Sequence, residues 1–410
     1  MREPVSIGLV ALGGYGEKYI SFLLDKTDPE EYRIVGAVDP LKERCQRLED
    51  ITSRGIPIYD TMDEFYARHR ADLVTISSPI HFHCPQTCAA LDHGSSVLCE
   101  KPLGATVQEA RGMIEARDRA TARDGAPRFV AIGYQWSFSE AVQELKGDIL
   151  AGRFGRPIRL KTMVLWPRDE KYYHRNGWAG RQKDDRGAWI LDSPINNATA
   201  HYLHNMLYVL GAQVDRSARL ASIVGELYRA NAIENYDTGA ARILTDDGVE
   251  LLYIASHPVV RQRGPVFEYE FEEATVFCEE KASGFVARFR NGEGKTYPNP
   301  QVIQNKLRDA MSAVRGEKQI VCGPEAAGAQ TLCVNGLQDS APEIIEFPRD
   351  LVRVEGEVGV RKTWVDGLFE TLVKCYEEWK LPSEAGAPWA APGREIRLSD
   401  YGDFPGGATR

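Results

Sequence analysis

The sequence predicts two domains of different class, an α/β half followed by an α+β half. Three observations support this. Over residues 5–128, short apolar runs (5–10, 32–38, 73–77, 96–99) alternate with amphipathic stretches (15–24, 41–49, 84–91, 107–118), as parallel β-α-β units require. Further on, runs rich in β-branched and aromatic residues (158–165, 240–244, 249–256, 266–278) follow one another without intervening helices, which indicates an antiparallel or mixed sheet. Finally, 410 residues exceed what one hydrophobic core usually serves.

The polar stretch Arg123-Asp124-Gly125-Ala126-Pro127 marks the expected boundary. The domains are then 1–128 and 129–380, with an irregular Pro/Gly/Ala-rich tail over 381–410. Within the second domain, helices are expected over 140–151 and 364–379.

A net charge of -9, with 43% apolar and 27% charged residues, leaves no basic stripe for nucleic acid or an anionic membrane. A small-molecule partner is favoured. No apolar run approaches the ~18 residues of a membrane span. Met1-Arg2-Glu3-Pro4 leads into a strand rather than a signal-peptide core, so a cytoplasmic protein is expected. The eight scattered cysteines read as reduced core thiols. His81-x-His83-Cys84-x-x-x-Cys88 has no second ligand pair at recognisable spacing, so no metal site is expected.

The first strand opens into Ala11-Leu12-Gly13-Gly14-Tyr15-Gly16, an A-x-G-x-x-G variant of the dinucleotide fingerprint. Its glycines let the backbone approach a pyrophosphate held at the following helix N-terminus. Ala11 replaces the first glycine, so the turn must tolerate a methyl group. Asp39 closes the second strand near the ~20-residue offset at which an acid accepts hydrogen bonds from the adenosine ribose. A carboxylate there repels a 2′-phosphate, which favours NAD over NADP. Ser78-Pro79 ends the next strand, with His83 close behind, and this loop is expected on the nicotinamide side. Glu100-Lys101-Pro102 leaves the strand 96–99, so Lys101 stands where ligands meet such sheets.

In the second half Ser193 suits an N-cap and Pro194 an N1 position, predicting a helix that runs to Leu210 before Gly211. On it Asn197, His201 and His204 share one face. His201 is the candidate general acid/base. The loop 166–181, with Arg168, Tyr172, Arg175 and Trp178, offers aromatic faces and cationic forks to a polyhydroxylated or carboxylated ligand.

Together, residues 11–16, Asp39, Ser78-Pro79 with His83, Glu100-Lys101-Pro102, Gly133-Tyr134-Gln135 and the helix around His201 make the chain resemble the Gfo/Idh/MocA oxidoreductases over about residues 5–380. The resemblance implies an N-terminal Rossmann domain and a C-terminal α+β domain whose open sheet forms a homodimer or homotetramer contact. It implies NAD contacts at Leu12, Gly13, Gly14, Tyr15, Gly16, Asp39, Ser78, Pro79, His83, Glu100, Lys101 and Gln135. It further implies oxidation of a sugar or cyclitol hydroxyl, with Lys101 and His201 at the reacting carbon. In many members an aspartate stands four residues before the histidine, where this chain has Asn197. Another stands where it has His204. An amide cannot act as a base, so Asn197 is expected to orient a hydroxyl.

The sequence therefore points to an NAD-dependent dehydrogenase for a secondary hydroxyl of a sugar, sugar acid or cyclitol. Catalysis falls to Lys101, His201 and Asn197, and substrate contacts to Lys101, Arg168, Tyr172, Arg175, Trp178, Asn197, His201 and His204. Two alternatives remain: a redox-neutral sugar-modifying enzyme (elimination, epimerisation or glycoside cleavage) with tightly held NAD, and a non-catalytic NAD sensor.

Overall fold

The first apolar run folds as β1 (Val5–Val10), with every residue buried, because a parallel strand covered by helices on both faces has no solvent side. Around it stand β2 (Tyr32–Val38), β3 (Ile58–Tyr59), β4 (Leu73–Ile76), β5 (Ser96–Cys99) and β6 (Val130–Ile132). The six strands form one parallel sheet in the order β3-β2-β1-β4-β5-β6. Helices α1 (Gly16–Lys26), α2 (Leu48–Thr52), α3 (Met62–Tyr66), α4 (His83–Asp92) and α5 (Val107–Asp124) lie between the strands. The strand order reverses between β1 and β4, so the loops 11–16 and 77–79 border the crevice where such sheets bind ligands.

The structure, a computed structural model, describes residues 3–278, 284–300 and 303–406. Met1, Arg2 and residues 407–410 of the expected tail lie outside the described residues. The chain divides into two compact units, 1–104 with 108–138 and 302–327, and 105–107 with 139–301 and 328–410. This differs from the expected break after residue 128. The stretch 123–127 is a helix-to-strand loop, since β6 beyond it pairs with β5. The first unit also recovers a late segment bearing α9 (Asn305–Val314), and the Ile132 amide donates to the Cys322 carbonyl at 2.8 Å.

In the second unit lie β7 (Pro157–Leu165), β8 (Leu220–Arg229), β9 (Thr238–Thr245), β10 (Glu250–Ser256), β11 (Arg263–Phe271), β12 (Ala274–Cys278), β13 (Phe285–Phe289), β14 (Gly294–Tyr297) and β15 (Ile345–Glu346). They form a sheet in the order β14-β13-β12-β11-β7-β10-β9-β8-β15, antiparallel except for the pairs β7–β10 and β8–β15. The expected strand 266–278 is a hairpin, with Glu272-Glu273 at its turn. Helix α6 (Glu140–Leu150) matches the expected 140–151 to within one residue, capped by the Ser139 side chain. A separate hairpin pairs β16 (Val352–Glu355) with β17 (Lys362–Val365), and α7 (Glu170–Tyr173) is a single turn. Trp364, expected on a helix, therefore belongs to a strand. Beyond α10 (Pro324–Ser340), the expected helix, α11 (Leu368–Glu378), starts only after Gly367 at φ 73. Among the described residues of the tail, only β18 (Ile396–Arg397) is regular, pairing with β8.

Alternation along β7 sorts the two faces of this sheet. The hydroxyl of Tyr269, in register with Leu160, accepts from the Asn205 amide on α8 (Ala200–Val209) at 3.3 Å. On the opposite face, Met163 and Leu165 join Leu368, Leu372, Tyr376 and Leu381 in one apolar cluster. There the Lys161 ammonium sits 4.7 Å from the Tyr376 ring centroid, and the Arg159 guanidinium sits 4.2 Å from that of Trp379. This face is thus covered over β7, β9 and β10 by α11 and the start of the tail. The physical reason is the apolar stripe of α11, which buries against the sheet as any amphipathic helix does.

Candidate active site

In the first unit the site begins with the turn after β1. Ala11 adopts φ 65, so the methyl group is accepted in the left-handed region. A Cβ on Gly16 would stand 2.1 Å from the Ala11 carbonyl oxygen, which fixes glycine there. Above Gly14 nothing lies within 4 Å of where a Cβ would stand, and no side chain caps the N-terminus of α1. The turn can therefore accept a pyrophosphate against free backbone approach. Asp39 is 7% exposed, and its two carboxylate oxygens each accept one backbone N–H, from Leu12 and from Leu41, both at 2.8 Å. Each oxygen keeps a second lone pair for a ribose hydroxyl. These residues fit a dinucleotide.

Two expected cofactor residues are placed otherwise. His83 is buried, with Nδ1 2.7 Å from the Pro102 carbonyl and Nε2 2.9 Å from the Ser78 carbonyl. Burial pushes its pKa down against the pull of these carbonyls. It ties the loop after β4 to the loop after β5, and Ser78 itself donates to Gln86 at 2.6 Å. The Glu100 carboxylate turns inward as well. It accepts from Tyr19 at 2.5 Å and from the fully buried ammonium of Lys306 on α9.

Lys306 also donates to the Tyr15 hydroxyl at 3.0 Å and lies 4.5 Å from the Tyr15 ring centroid. Tyr15 in turn reaches Gln135 at 3.4 Å. A Cβ on Gly133 would come within 2.9 Å of the Glu100 carboxylate, which explains the glycine before Tyr134-Gln135. Burial lowers the Lys306 pKa while Glu100 opposes the shift, and burial raises both tyrosines. Lys101, the next residue, is half-buried just beyond β5. Sequence reasoning missed Lys306, because nothing local distinguishes it from an ordinary helical lysine.

In the second unit the expected helix is broken. Ser193 caps Asn196 at 3.1 Å as predicted, but Pro194–Ala198 forms a π-turn and Thr199 leaves helical geometry at φ -116. The Thr199 hydroxyl bonds back to the Pro194 carbonyl at 2.8 Å, and the Tyr253 hydroxyl donates to the Thr199 carbonyl at 2.8 Å. Such π-turns recur at functional sites. Asn197 then sits on the turn and His201 in the first turn of α8. His204 does not join them. It is fully buried, stacked 5.5 Å from Tyr208, and burial with the nearby Lys146 charge pushes its pKa down to about 3.

The loop residues do converge. Tyr172 lies 5.0 Å from the Arg168 guanidinium and 3.8 Å from that of Arg175, which also lies 5.3 Å from Trp178. Arg175 stands 3.9 Å from Asp192, whose other oxygen accepts from Asn197 at 2.7 Å. Trp166 packs edge-on against Tyr202, beside His201, at 5.6 Å. Also beside this loop, but unforeseen, is buried His257, which meets the Tyr173 hydroxyl at 3.0 Å. Its signal was Ser256-His257-Pro258 closing β10, the parallel neighbour of β7.

Residues 5–123 match the profile described as "Oxidoreductase family, NAD-binding Rossmann fold". Over this segment the chain is similar to the Gfo/Idh/MocA oxidoreductases. Among Gfo/Idh/MocA relatives, the rhizopine catabolism protein MocA of Rhizobium meliloti is 28% identical over 160 residues, 39% of this chain and 46% of its own length. Inositol 2-dehydrogenase of Burkholderia ambifaria is 27% identical over 209 residues, 50% of this chain and 55% of its own. The chain spans about half the length of these curated relatives.

Fold likeness extends further. The WlbA dehydrogenase of Bordetella pertussis, solved with NADH and UDP-GlcNAcA, superposes with a TM-score of 0.66 at 19% identity over 83% of this chain and 97% of that one. An Agrobacterium radiobacter oxidoreductase, solved with NAD+, L-tartaric acid and magnesium, gives a TM-score of 0.66 at 14% identity over 83% and 97%. No helix among the described residues is long and apolar enough to cross a membrane.

Proposed function

We propose that this chain is an NAD-dependent oxidoreductase that oxidises a secondary hydroxyl of a sugar, sugar acid or cyclitol. The observation that carries the reading is Lys101, one residue past Glu100 at the carboxyl end of β5, in a sheet of the NAD-binding Rossmann family. The relatives named inositol 2-dehydrogenase and 1,5-anhydro-D-fructose reductase support it. The backbone of Leu12 to Gly16 would hold the pyrophosphate and Asp39 the adenosine ribose, with Ser78 and Pro79 bordering the nicotinamide. When bound, NAD supplies the hydride acceptor.

The chain's own groups do the rest. The Lys101 ammonium donates to the substrate hydroxyl oxygen and stabilises the developing negative charge. His201 takes the hydroxyl proton, and Asn197, held by Asp192, orients the sugar. His83 and Glu100 support the loops that carry Ser78 and Lys101. The thiols, six buried and Cys84 and Cys88 half-buried, suit a reducing cytoplasm. Self-association as a homodimer or homotetramer would use the part of the second unit's sheet that α11 leaves uncovered.

Continuous NADH formation on a panel of sugars, sugar acids and inositols tests the reading. Lys101→Ala is expected to lose about 10²–10³-fold in kcat while retaining NAD affinity. Unchanged turnover in this variant refutes the role of Lys101. A single stoichiometric burst without steady NADH release favours redox-neutral chemistry, and NAD affinity without any turnover favours a sensor.

A further inference from the structure

Resting on the oxidoreductase reading, we infer that the groove beside α7 selects a substrate bearing an anionic oxygen group, a carboxylate or a phosphate, over its neutral counterpart, with Arg168 as the recognising fork. The groove measures about 510 Å3 and brings together Arg168, Lys171, Tyr172, Arg175 and Lys362 with one carboxylate, Asp169. That carboxylate is already committed: its Oδ1 accepts the Tyr172 amide at 3.0 Å as the cap of α7. Four cations therefore face one engaged acid, and an anion entering the groove meets a positive field.

Arg168 is the group built for contact. Its guanidinium lies 5.4 Å from the Trp166 ring centroid and 5.0 Å from that of Tyr172. Its Nη1 donates to the adjacent Pro167 carbonyl at 3.2 Å, its guanidinium also meets the Tyr172 hydroxyl, and its buried Nε has no hydrogen-bond acceptor in the structure. Burying a charged donor without an acceptor is costly, so the structure holds a donor whose satisfaction comes from a ligand oxygen. A planar fork placed against aromatic rings presents two parallel N–H groups, the geometry that carboxylate and phosphate oxygens accept.

The groove is also continuous with the chemical end of the unit. Arg175, which shares the Tyr172 ring with Arg168, stands 3.9 Å from Asp192, and Asp192 accepts from Asn197 at 2.7 Å. Lys362 arrives from the β16–β17 hairpin, and Arg361 beside it pairs with Glu170 on α7 at 2.6 Å, which fixes the hairpin against the loop. An acid group in the groove thus places the remainder of a sugar towards the turn that precedes His201.

The test compares kcat/KM of the full chain with NAD for D-glucuronate, D-galacturonate and D-gluconate, for glucose 6-phosphate, and for D-glucose, D-galactose and myo-inositol. The wild type is expected to favour at least one anionic compound over its neutral partner by about tenfold or more, and Arg168→Ala to collapse that ratio through KM. Arg168→Lys, which keeps the charge and removes the fork, is expected to recover part of the ratio for phosphate and little for carboxylate. Preference for the acids identifies a carboxylate substrate, and preference for glucose 6-phosphate a phosphorylated one. A neutral preference, or an unchanged ratio in folded Arg168→Ala, overturns the inference while leaving the oxidoreductase reading intact. Where no compound yields NADH, that reading fails, and calorimetry with the same acids decides the inference alone. Binding that depends on Arg168 sustains it, and absence of binding overturns it.

Discussion

The Asn197 amide donates to the Asp192 carboxylate at 2.7 Å, and Asp192 is only 2% exposed. A carboxylate therefore does stand beside the position where the resemblance implied one, supplied from five residues upstream. Substituting Asn197→Asp would set two carboxylates at hydrogen-bond distance, and one would be pushed up in pKa. A group whose folded pKa is raised contributes stability below its unfolded pKa and loses it as pH rises through the folded value. Thermal unfolding of Asn197→Asp is therefore expected to fall further below wild type at pH 8 than at pH 5, and adding Asp192→Asn should remove the difference.

Lys306 and Glu100 form a fully enclosed ion pair. Removing one partner strands the other charge, at a cost of about 3–5 kcal/mol. Lys306→Met is expected to lower the urea midpoint of the first unit markedly. The double variant Lys306→Met with Glu100→Leu should recover much of that loss, because the buried charge is then absent altogether. Equal losses in single and double variants would show that the pair is not the source.

Acid should weaken the second unit. Burial holds the His204 pKa at about 3 against an ordinary 6.5, and holds that of His257 well below the ordinary value. Between these limits the unfolded chain binds protons that the folded chain refuses, so stability rises with pH and is lost as pH falls below 6.5. His204 contributes roughly 1 kcal/mol per pH unit across that window, and His257 acts in the same direction. Chemical denaturation at pH 7 and pH 5 measures the slope, and His204→Gln should flatten it.

Asp39 anchors the turn after β1 through Leu12 and Leu41, and the proposed reading gives it the ribose as well. Asp39→Asn keeps an acceptor but loses the charge, and is expected to weaken NAD binding about tenfold while narrowing the discrimination against NADP. Asp39→Ala should also loosen the turn and weaken both cofactors. Fluorescence titrations with NADH and NADPH distinguish the two effects.

The parallel sheet was legible because its strands are continuous apolar runs separated by helical periods, a signal carried within each segment. The loop 166–181 and Ser193 were legible for the same reason, since turn and cap chemistry is local. The rest depended on distance. Lys306 owes its role to Glu100, 206 positions away, and no periodicity in α9 announces that partner. The π-turn at Pro194–Ala198 arises because Tyr253, from another strand, takes the Thr199 carbonyl, so tertiary hydrogen bonding overrode helical spacing. His204 kept the right spacing for the candidate face yet turned into the core, where its ring packs on Tyr208.

The placement of α9 has a consequence for biosynthesis. A ribosome that has released the whole parallel sheet, through β6, has yet to make the cation that neutralises Glu100, and must first add most of the second unit's strands. The nucleotide half thus cannot mature ahead of the other in the usual vectorial manner. A truncated nascent chain would carry an unbalanced acid at the end of β5, so the core beneath the nucleotide sheet stays incomplete until about three quarters of the chain has been made.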